Sequence, residues 1–408
     1  MAGHSCLYRR SFSFRAFAAL LVVLSLGWGS GCGPKIKPYP VFPVSRNGAT
    51  LYKTGQDLYW QSRARDDRGQ ALIDSMDAVA KNLRAAKTND PNCPLMYSKL
   101  GEVYLECGQG DLAKNEFERS LDYCEDWVPG WIGLAQWAIE RIPLDPLKID
   151  EATHYLIRAD QAVANIQKRY NEIPEDQRKS WKGLGTLGLG EDAGAEGIPS
   201  DRMRVGLVFD FLAANEYPAL HTGGTVLPRM RAKIWYQHAL MADARGEPAA
   251  TVIQLCLKSH RFDPNYPPAL ILRSQQHVKL KEYFEAENIL LPLMQAEPIY
   301  QNNAQIWYEL AQIYSAWCIS QLAEDQCFEA EKAYVQLHDL NEQHVEGWIG
   351  RARLNYTVGS KRRNLQVLQN AQVFANNALE FNPNHPEAGK LRELIDEAIS
   401  ELTTEEDQ

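Results

Sequence analysis

The sequence predicts an all-α protein in which helical hairpins stack side by side into a solenoid. Large and small apolar residues recur in the same order, and Trp131 follows Tyr97 at the interval that also separates Pro298 from Pro264. Strand patterns are scarce, because segments such as VFPV are too short and too proline-bound to form a sheet. A period of about 20–50 residues is typical of repeat architectures.

The clearest repeat covers residues 97–120, with the sequence YSKLGEVYLECGQGDLAKNEFERS. Its characteristic residues are Tyr97, Leu100, Gly101, Tyr104, Gly108, Ala113 and Phe117. This order resembles the tetratricopeptide repeat, a pair of antiparallel helices in which small residues let the helices approach and large residues fill the gaps. The resemblance implies a right-handed α-solenoid.

The same order returns along the chain, so that about six or seven hairpins share one phase. Further units open at Trp131, Trp235, Leu270, Trp307 and Trp348, and a looser first unit includes Gly55, Tyr59 and Pro91. One match of so degenerate a pattern would mean little, but several in phase are specific. A single hairpin cannot bury its apolar stripe alone, so neighbouring hairpins must stack into a continuous core.

The repeats fall into two blocks, residues 48–164 and residues 231–408, and the second block ends in a capping helix after Pro383. Between them lies a long insertion, residues 165–230. Its first half is a glycine-rich segment that predicts a flexible loop. In its second half Ser200 is placed to cap an apolar helix that continues to residue 217.

The leader, residues 1–31, resembles a bacterial lipoprotein signal peptide. Three arginines precede a short apolar run, and small residues lead to Cys32. The resemblance implies that Cys32 carries acyl chains, and residues 32–47 then form a proline-rich linker between the lipid and the folded domain. It also implies a cell-envelope protein, anchored by lipid alone at the outer membrane and facing the periplasm. Gly29 stands where such signals usually have leucine, and a plain secretory signal with a chance cysteine is the alternative.

The charge balance is acidic, with 43 Lys and Arg against 52 Asp and Glu and a net charge of −9. A surface of that sign gives no general attraction to phosphate backbones. No nucleic-acid partner is therefore expected.

Six cysteines follow Cys32, and an even number in an exported protein permits disulfides. Cys93 and Cys124 are predicted to lie at the same edge of one hairpin, and Cys318 and Cys327 flank a lengthened turn. Both pairs are candidates for disulfides. The alternative for each pair is buried thiols, since cysteine is also a common core residue.

First helices of tetratricopeptide hairpins line a concave groove, and the resemblance therefore implies a set of groove-lining residues. The candidates are Gln136, Tyr236, Gln275, Tyr308, Gln312 and Arg353. Amide and aromatic side chains suit an extended peptide or a helix, through hydrogen bonds and stacking. Ordinary solvated surface is the alternative for each of them.

Catalytic signatures are missing from the mature sequence, which has no His-Glu-x-x-His and no Cys-x-x-Cys motif. We therefore expect no enzyme, cofactor or metal, and a scaffold that binds protein or peptide partners in its groove. The alternative is a periplasmic carrier of an apolar small molecule, similar to the repeat-containing lipoproteins of some solute-uptake systems, with a tunnel lined by residues 205–212. The sequence leaves the oligomeric state open.

Overall fold

The computed structural model describes residues 43–171, 202–204, 226–296 and 301–406. Within these ranges fifteen helices form seven antiparallel hairpins followed by one C-terminal helix. The first three hairpins are α1 (Arg46–Arg65) with α2 (Gly69–Asn89), α3 (Pro94–Glu106) with α4 (Gly110–Tyr123), and α5 (Val128–Ile139) with α6 (Lys148–Asn171).

Four more hairpins and the capping helix form the second block. They are α7 (Val226–Ala244) with α8 (Ala249–Phe262), α9 (Pro267–Lys279) with α10 (Tyr283–Ala296), α11 (Ala304–Gln321) with α12 (Glu324–Leu340), α13 (Val345–Arg362) with α14 (Leu365–Phe381), and α15 (Pro386–Glu406). Helix α7 packs directly against α5 and α6. The stack therefore continues across the long insertion.

The predicted all-α solenoid is confirmed. First helices contact the next first helix along the chain, as α3 does with α5 and α11 with α13, and so form a continuous inner layer. Each second helix packs against its own first helix and the following hairpin. None of the helices in the described ranges is both long and apolar enough to cross a bilayer.

The recurring aromatic residue is the fourth residue of its helix, and it ties that helix to the preceding turn. In each case its polar hydrogen is donated to a main-chain carbonyl of that turn. The pairs are Tyr97 with Pro91 at 2.7 Å, Trp131 with Glu125 at 2.7 Å, Trp307 with Gln301 at 2.8 Å and Trp348 with Glu342 at 2.8 Å. The period of the aromatic residues is thus also a period of helix-to-turn hydrogen bonds.

Small residues admit large rings between the helices, as the resemblance implies. The ring of Phe117 on α4 is fully buried between Gly101 on α3 and Gly133 on α5. A β-carbon at Gly101 would lie 2.6 Å from the ring, and one at Gly133 would lie closer still. The ring is enclosed from both sides, so neither glycine leaves room for a side chain.

The insertion differs from its prediction at the residues that can be compared. The prediction of a helix after Ser200 is wrong at Arg202–Arg204, because these residues form a short strand, β2. This strand pairs antiparallel with β1 (Pro43–Ser45), and Val44 lies opposite Met203. A partner strand so distant in sequence overrides a local capping signal. The remainder of the predicted helix, the predicted glycine-rich loop, the predicted signal peptide and Cys32 lie outside the described residues.

The two candidate disulfides have different outcomes. Cys318 at the end of α11 and Cys327 at the start of α12 are joined, with their Cα atoms 5.0 Å apart. The proposed pairing of Cys93 with Cys124 is wrong, because both residues are buried thiols. Both belong to the apolar core of the first block, where cysteine packs as a small hydrophobic residue. Burial raises the pKa of Cys93 to about 12, which disfavours the thiolate needed for disulfide exchange.

The enclosure of Phe117 gives a test of the repeat packing. We expect Gly133→Ala to lower the free energy of unfolding by about 1–3 kcal/mol, because the added methyl group overlaps a ring that cannot move aside. Urea denaturation followed by circular dichroism measures the change. Gly389→Ala in α15 is the control, since nothing lies near its β-carbon position. It should raise stability by about 0.5–1 kcal/mol through helix propensity; equal effects of the two substitutions would contradict the packing described.

Candidate functional site on the inner face of the solenoid

The inner layer closes on itself between the first and the sixth hairpin. Helix α1 contacts α11, and the α1–α2 turn reaches the start of α13. The turn contains Asp66, Asp67 and Arg68. We call its contacts with the second block the closure; they are made by Arg65, Asp66 and Arg68 on one side and by Tyr308, Asn341 and His344 on the other.

Asp66 lies at the centre of the closure. It ends α1 in the left-handed conformation, with φ of 53°, which directs the chain sharply towards the second block. A carboxylate oxygen of Asp66 lies 2.9 Å from Nε2 of His344 and 2.6 Å from the guanidinium of Arg68. Burial would raise the pKa of Asp66, but the hydrogen bond from His344 and the charge of Arg68 outweigh it and hold that pKa below its ordinary value.

His344 is fully buried and its two ring nitrogens have separate roles. Nδ1 accepts a hydrogen bond of 2.9 Å from the main-chain N–H of Gly347 and so caps α13. Nε2 must then carry the proton that is donated to Asp66. A helix cap of the seventh hairpin is therefore also the residue that holds the turn of the first hairpin.

Arg68 and Arg65 complete the closure. The guanidinium of Arg68 lies 4.6 Å from the centre of the Tyr308 ring, a cation–π contact, and the same ring packs against His344 at 5.0 Å. The side-chain amide of Asn341 donates a hydrogen bond of 2.7 Å to the main-chain carbonyl of Arg65. The second block thus contacts the backbone, a carboxylate and a guanidinium of one short segment.

Glu309 lies beside the closure and is almost completely buried, with 8% of its surface exposed. The amide of Gln275 donates a hydrogen bond of 2.9 Å to its carboxyl group. Burial raises the pKa of Glu309 to about 7, even though the hydrogen bond from Gln275 and the charge of Arg68 act in the opposite direction. A carboxyl group that ionises near neutral pH therefore lies at the inner surface.

A second charged group lies on the inner face of the first block. The ammonium group of Lys99 lies 3.9 Å from the centre of the Tyr59 ring and 2.6 Å from the carboxylate of Glu102. The Tyr59 hydroxyl donates a hydrogen bond of 2.6 Å to Glu106. Burial opposes ionisation of Glu102, but the charges of Lys99 and Lys233 outweigh it and lower its pKa. The inner face carries both signs of charge at close range.

The six predicted groove residues have different surroundings. Tyr308 and Gln275 belong to the closure and its neighbour Glu309. The amide of Gln312 donates to the buried hydroxyl of Tyr334 at 3.1 Å and so holds α12.

The other three lie apart from the closure. Tyr236 packs edge-on against Tyr266 at 5.6 Å. Gln136 donates to Glu140, the residue that follows α5, at 3.1 Å, and exposed Arg353 pairs with Glu387 of α15. The structure thus brings two of the six together.

Sequence reasoning did not find Asp66, Arg68, Glu309 or His344. The repeat period does not mark them, and Asp66 and His344 are 278 residues apart. The one available signal is that His344 occupies the residue before a first helix, where Cys93 and Tyr266 are also buried. That signal names no partner.

Metal coordination finds no support in the described ranges, which hold no group of three or more His, Cys, Asp or Glu side chains arranged around a common point.

No protein-family model and no curated protein matches the chain. Solved structures do match it at low identity. The Cut9–Hcn1 heterotetramer of the APC/C has 12% identity and a TM-score of 0.45, covering 85% of this chain and 48% of that chain. The chain thus spans about half the length of that protein.

Two further matches are PilF of Pseudomonas aeruginosa and yeast Tom70, both at 12% identity. PilF has a TM-score of 0.37, with 72% of this chain and 95% of that chain covered. Tom70 has a TM-score of 0.27, with 88% and 90% covered. All three scores are low, so the function proposed below depends on the contacts of this chain alone. Fold and inner face together define a solenoid of tetratricopeptide-like hairpins that is closed by its own first turn.

The raised pKa of Glu309 predicts that stability falls as the pH rises. A carboxyl group with a pKa of about 7 in the folded chain and about 4.5 in the unfolded chain favours folding below pH 4.5. That contribution, about 3 kcal/mol, is lost as the pH rises to 7 and above. The lowered pKa values of buried His338 and His238 act in the opposite direction over part of this range, so the difference between two proteins is the quantity to measure. We expect Glu309→Gln to gain stability in urea relative to the unchanged protein, by up to about 3 kcal/mol, as the pH rises from 5 to 8.

Asp66 does not interfere in this window. Its lowered pKa adds stability above about pH 4, which is lost only at lower pH. Glu401→Gln, an exposed position on α15, is the matched control and should keep the pH dependence of the unchanged protein. Identical pH profiles for Glu309→Gln and the unchanged protein would show that the burial of Glu309 has no energetic consequence.

Proposed function

We propose that the protein is a non-catalytic, lipid-anchored scaffold of the cell envelope that binds a protein partner on the inner face of its solenoid. One observation carries the proposal: the inner face of the sixth and seventh hairpins already holds a polypeptide segment, the α1–α2 turn of the same chain. A surface that holds its own turn by these contacts has the chemistry to hold a similar segment of another protein.

The contacts of the closure are those used in peptide recognition. Asn341 binds a main-chain carbonyl, His344 binds a carboxylate, and Tyr308 provides an aromatic face for a guanidinium. A partner segment with an acidic residue two positions before an arginine, as in Asp66 and Arg68, would satisfy all three.

The energy of the closure is small enough for a partner to replace it. A hydrogen bond to a charged group stabilises by about 1.5–3 kcal/mol, and a cation–π contact by about 0.5–2 kcal/mol. The closure therefore holds the first hairpin with a few kcal/mol. A partner that binds the open form more tightly by that amount shifts the equilibrium towards it.

Export is supported by the disulfide between Cys318 and Cys327, because disulfides persist in oxidising compartments. Together with the signal-like segment before Cys32, it supports an anchor at the outer membrane with the solenoid in the periplasm. The carrier alternative relied on a tunnel lined by residues 205–212, which lie outside the described ranges. It has no observation in its favour.

Opening the closure should increase partner binding. We expect the double variant Asp66→Ala, Arg68→Ala to recover a protein partner several-fold more efficiently than the unchanged chain, because the inner face no longer binds its own turn. Crosslinking in intact cells followed by mass spectrometry measures the recovery. Small-angle X-ray scattering of the purified variant should show a larger radius of gyration.

The control is Arg65→Ala. It removes a cation from the same turn, where Arg65 pairs with Asp67, but keeps the main-chain carbonyl that Asn341 binds. It should behave as the unchanged protein. Recovery of the chain alone from all three cell lines would count against the scaffold function. A partner that is lost in the double variant would show that the turn is part of its binding surface instead.

The lipid anchor has its own test. Metabolic labelling with a fatty-acid analogue should mark the unchanged protein, and Cys32→Ser should lose the label because the acceptor thiol is gone. Cys6→Ser, within the leader, is the matched control and should keep it. Equal labelling of the unchanged protein and Cys32→Ser would refute anchoring at this residue while leaving the scaffold function intact.

A further inference from the structure

A cavity of about 360 Å³ lies between α8, α9 and α10 and contains none of the inner-face residues described above. This volume is within the range of small-ligand pockets. The residues that matter here are apolar Leu270, Ile289 and Leu293 and polar His260, Arg273 and His277. Apolar walls with a few converging polar groups are typical of sites for small organic molecules.

Arg273 is the unusual member of this set. Its Nε is fully buried without a hydrogen-bond acceptor, and no described carboxylate lies within ion-pair distance of its guanidinium. Burial lowers the pKa of Arg273, and among the described residues only the Cys256 thiol opposes this effect. Arg273 as a whole is half-buried, so its buried Nε–H is the part that lacks a partner, and such a donor is costly to leave unsatisfied.

The seventh hairpin contains the complete version of the same arrangement. Arg351 is the seventh residue of α13, as Arg273 is the seventh residue of α9. Nε of Arg351 donates a hydrogen bond of 2.7 Å to Glu331 on the preceding helix. Ile253 precedes Arg273 at the same sequence spacing as Glu331 precedes Arg351. The fifth hairpin has the cation at this position and lacks its carboxylate.

The neighbouring positions explain why a cavity exists here. His338, on the helix before Arg351, stacks on Trp348 with ring centres 3.6 Å apart. His260 precedes Arg273 by the same number of residues as His338 precedes Arg351, so the two histidines are equivalent. The position equivalent to Trp348 is occupied by Leu270. Because leucine is smaller than tryptophan, space remains above the His260 ring. The Nδ1 atom of His260 has no hydrogen-bond partner.

In three other hairpins the seventh residue of the first helix is a buried leucine. These residues are Leu100, Leu134 and Leu310. The repeat packing therefore does not require a cation at this position, and leucine fills it without leaving a charge.

We propose that this cavity binds a small organic monocarboxylate, whose carboxylate pairs with Arg273 in the place that Glu331 takes beside Arg351. Its apolar part lies against Leu270, Ile289 and Leu293. Nε2 of His277 is also without a hydrogen-bond partner at the cavity. Glu285, exposed at the rim, repels a second negative charge and so favours a monoanion over phosphate.

The first test is a titration of the purified protein with hexanoate and benzoate. At saturation we expect the midpoint of thermal unfolding to rise by about 3 °C, since a ligand that binds only the folded state stabilises it. Arg273→Leu should weaken binding in calorimetric titration by about 10–100-fold, because the charge-assisted pair is lost. Arg261→Leu removes an exposed charge next to His260 and should leave binding unchanged.

The second test needs no ligand. Ile253→Glu places a carboxylate where Glu331 stands in the seventh hairpin, and Ile253→Gln places a neutral side chain of the same shape there. We expect the Glu variant to unfold at a higher temperature than the Gln variant and to lose its response to hexanoate. This comparison remains informative if Arg273→Leu fails to fold.

Three results would overturn the proposal. The first is that neither hexanoate nor benzoate, at concentrations up to its solubility limit, raises the unfolding temperature of the unchanged protein. A second is a response to inorganic phosphate alone, which would identify an anion site of a different class. The third is a Glu variant no more stable than the Gln variant, which would show that Arg273 needs no partner. All three leave the scaffold function and its closure untouched.

Discussion

The fit of large rings against residues without side chains is the constraint on which this structure depends. Phe117 packs between its neighbours without overlap because both adjacent first helices present glycine, at Gly101 and Gly133. A second contact between neighbours recurs along the chain, because the aromatic fourth residue of a first helix donates a hydrogen bond to the preceding turn in four hairpins. Each hairpin thus fixes the distance and angle of the next one. Small rotations accumulate over several hairpins until the inner layer meets itself.

The closure is a consequence of that accumulated rotation. It brings the turn after α1 to the start of α13. There His344 caps α13 with one ring nitrogen and donates a hydrogen bond to Asp66 with the other. Such a contact is polar and small, unlike the apolar interfaces between consecutive hairpins. The closure is thus a weaker, long-range contact added to stable interfaces between neighbouring hairpins. Opening at that contact leaves every hairpin packed against its neighbours.

Ionisable side chains with unusual surroundings lie at positions that depart from the repeat pattern. The repeat tolerates an arginine at the seventh position of a first helix, but Arg351 is neutralised within the chain and Arg273 is not. Similarly, Glu309 replaces an inner-layer residue with a carboxyl group whose pKa burial raises to about 7. A side chain that the packing does not require, and that costs free energy where it stands, is a better indicator of function than one that merely faces solvent.

The helical hairpins, their number to within one, and the aromatic and small residues that hold them together could be predicted from the sequence, because these features repeat at fixed spacing and act locally. The resemblance to the repeat family also led to six candidate groove residues, and two of them, Tyr308 and Gln275, lie at the closure or next to it. The residues that complete the site could not be predicted, because they come together through the packing of the whole solenoid. Asp66 meets His344 across 278 residues, and β1 pairs with β2, through a curvature that no single repeat records. The tertiary structure also decided that Cys93 and Cys124 remain thiols while Cys318 and Cys327 join, since pairing depends on where the side chains point and not on which edge they share.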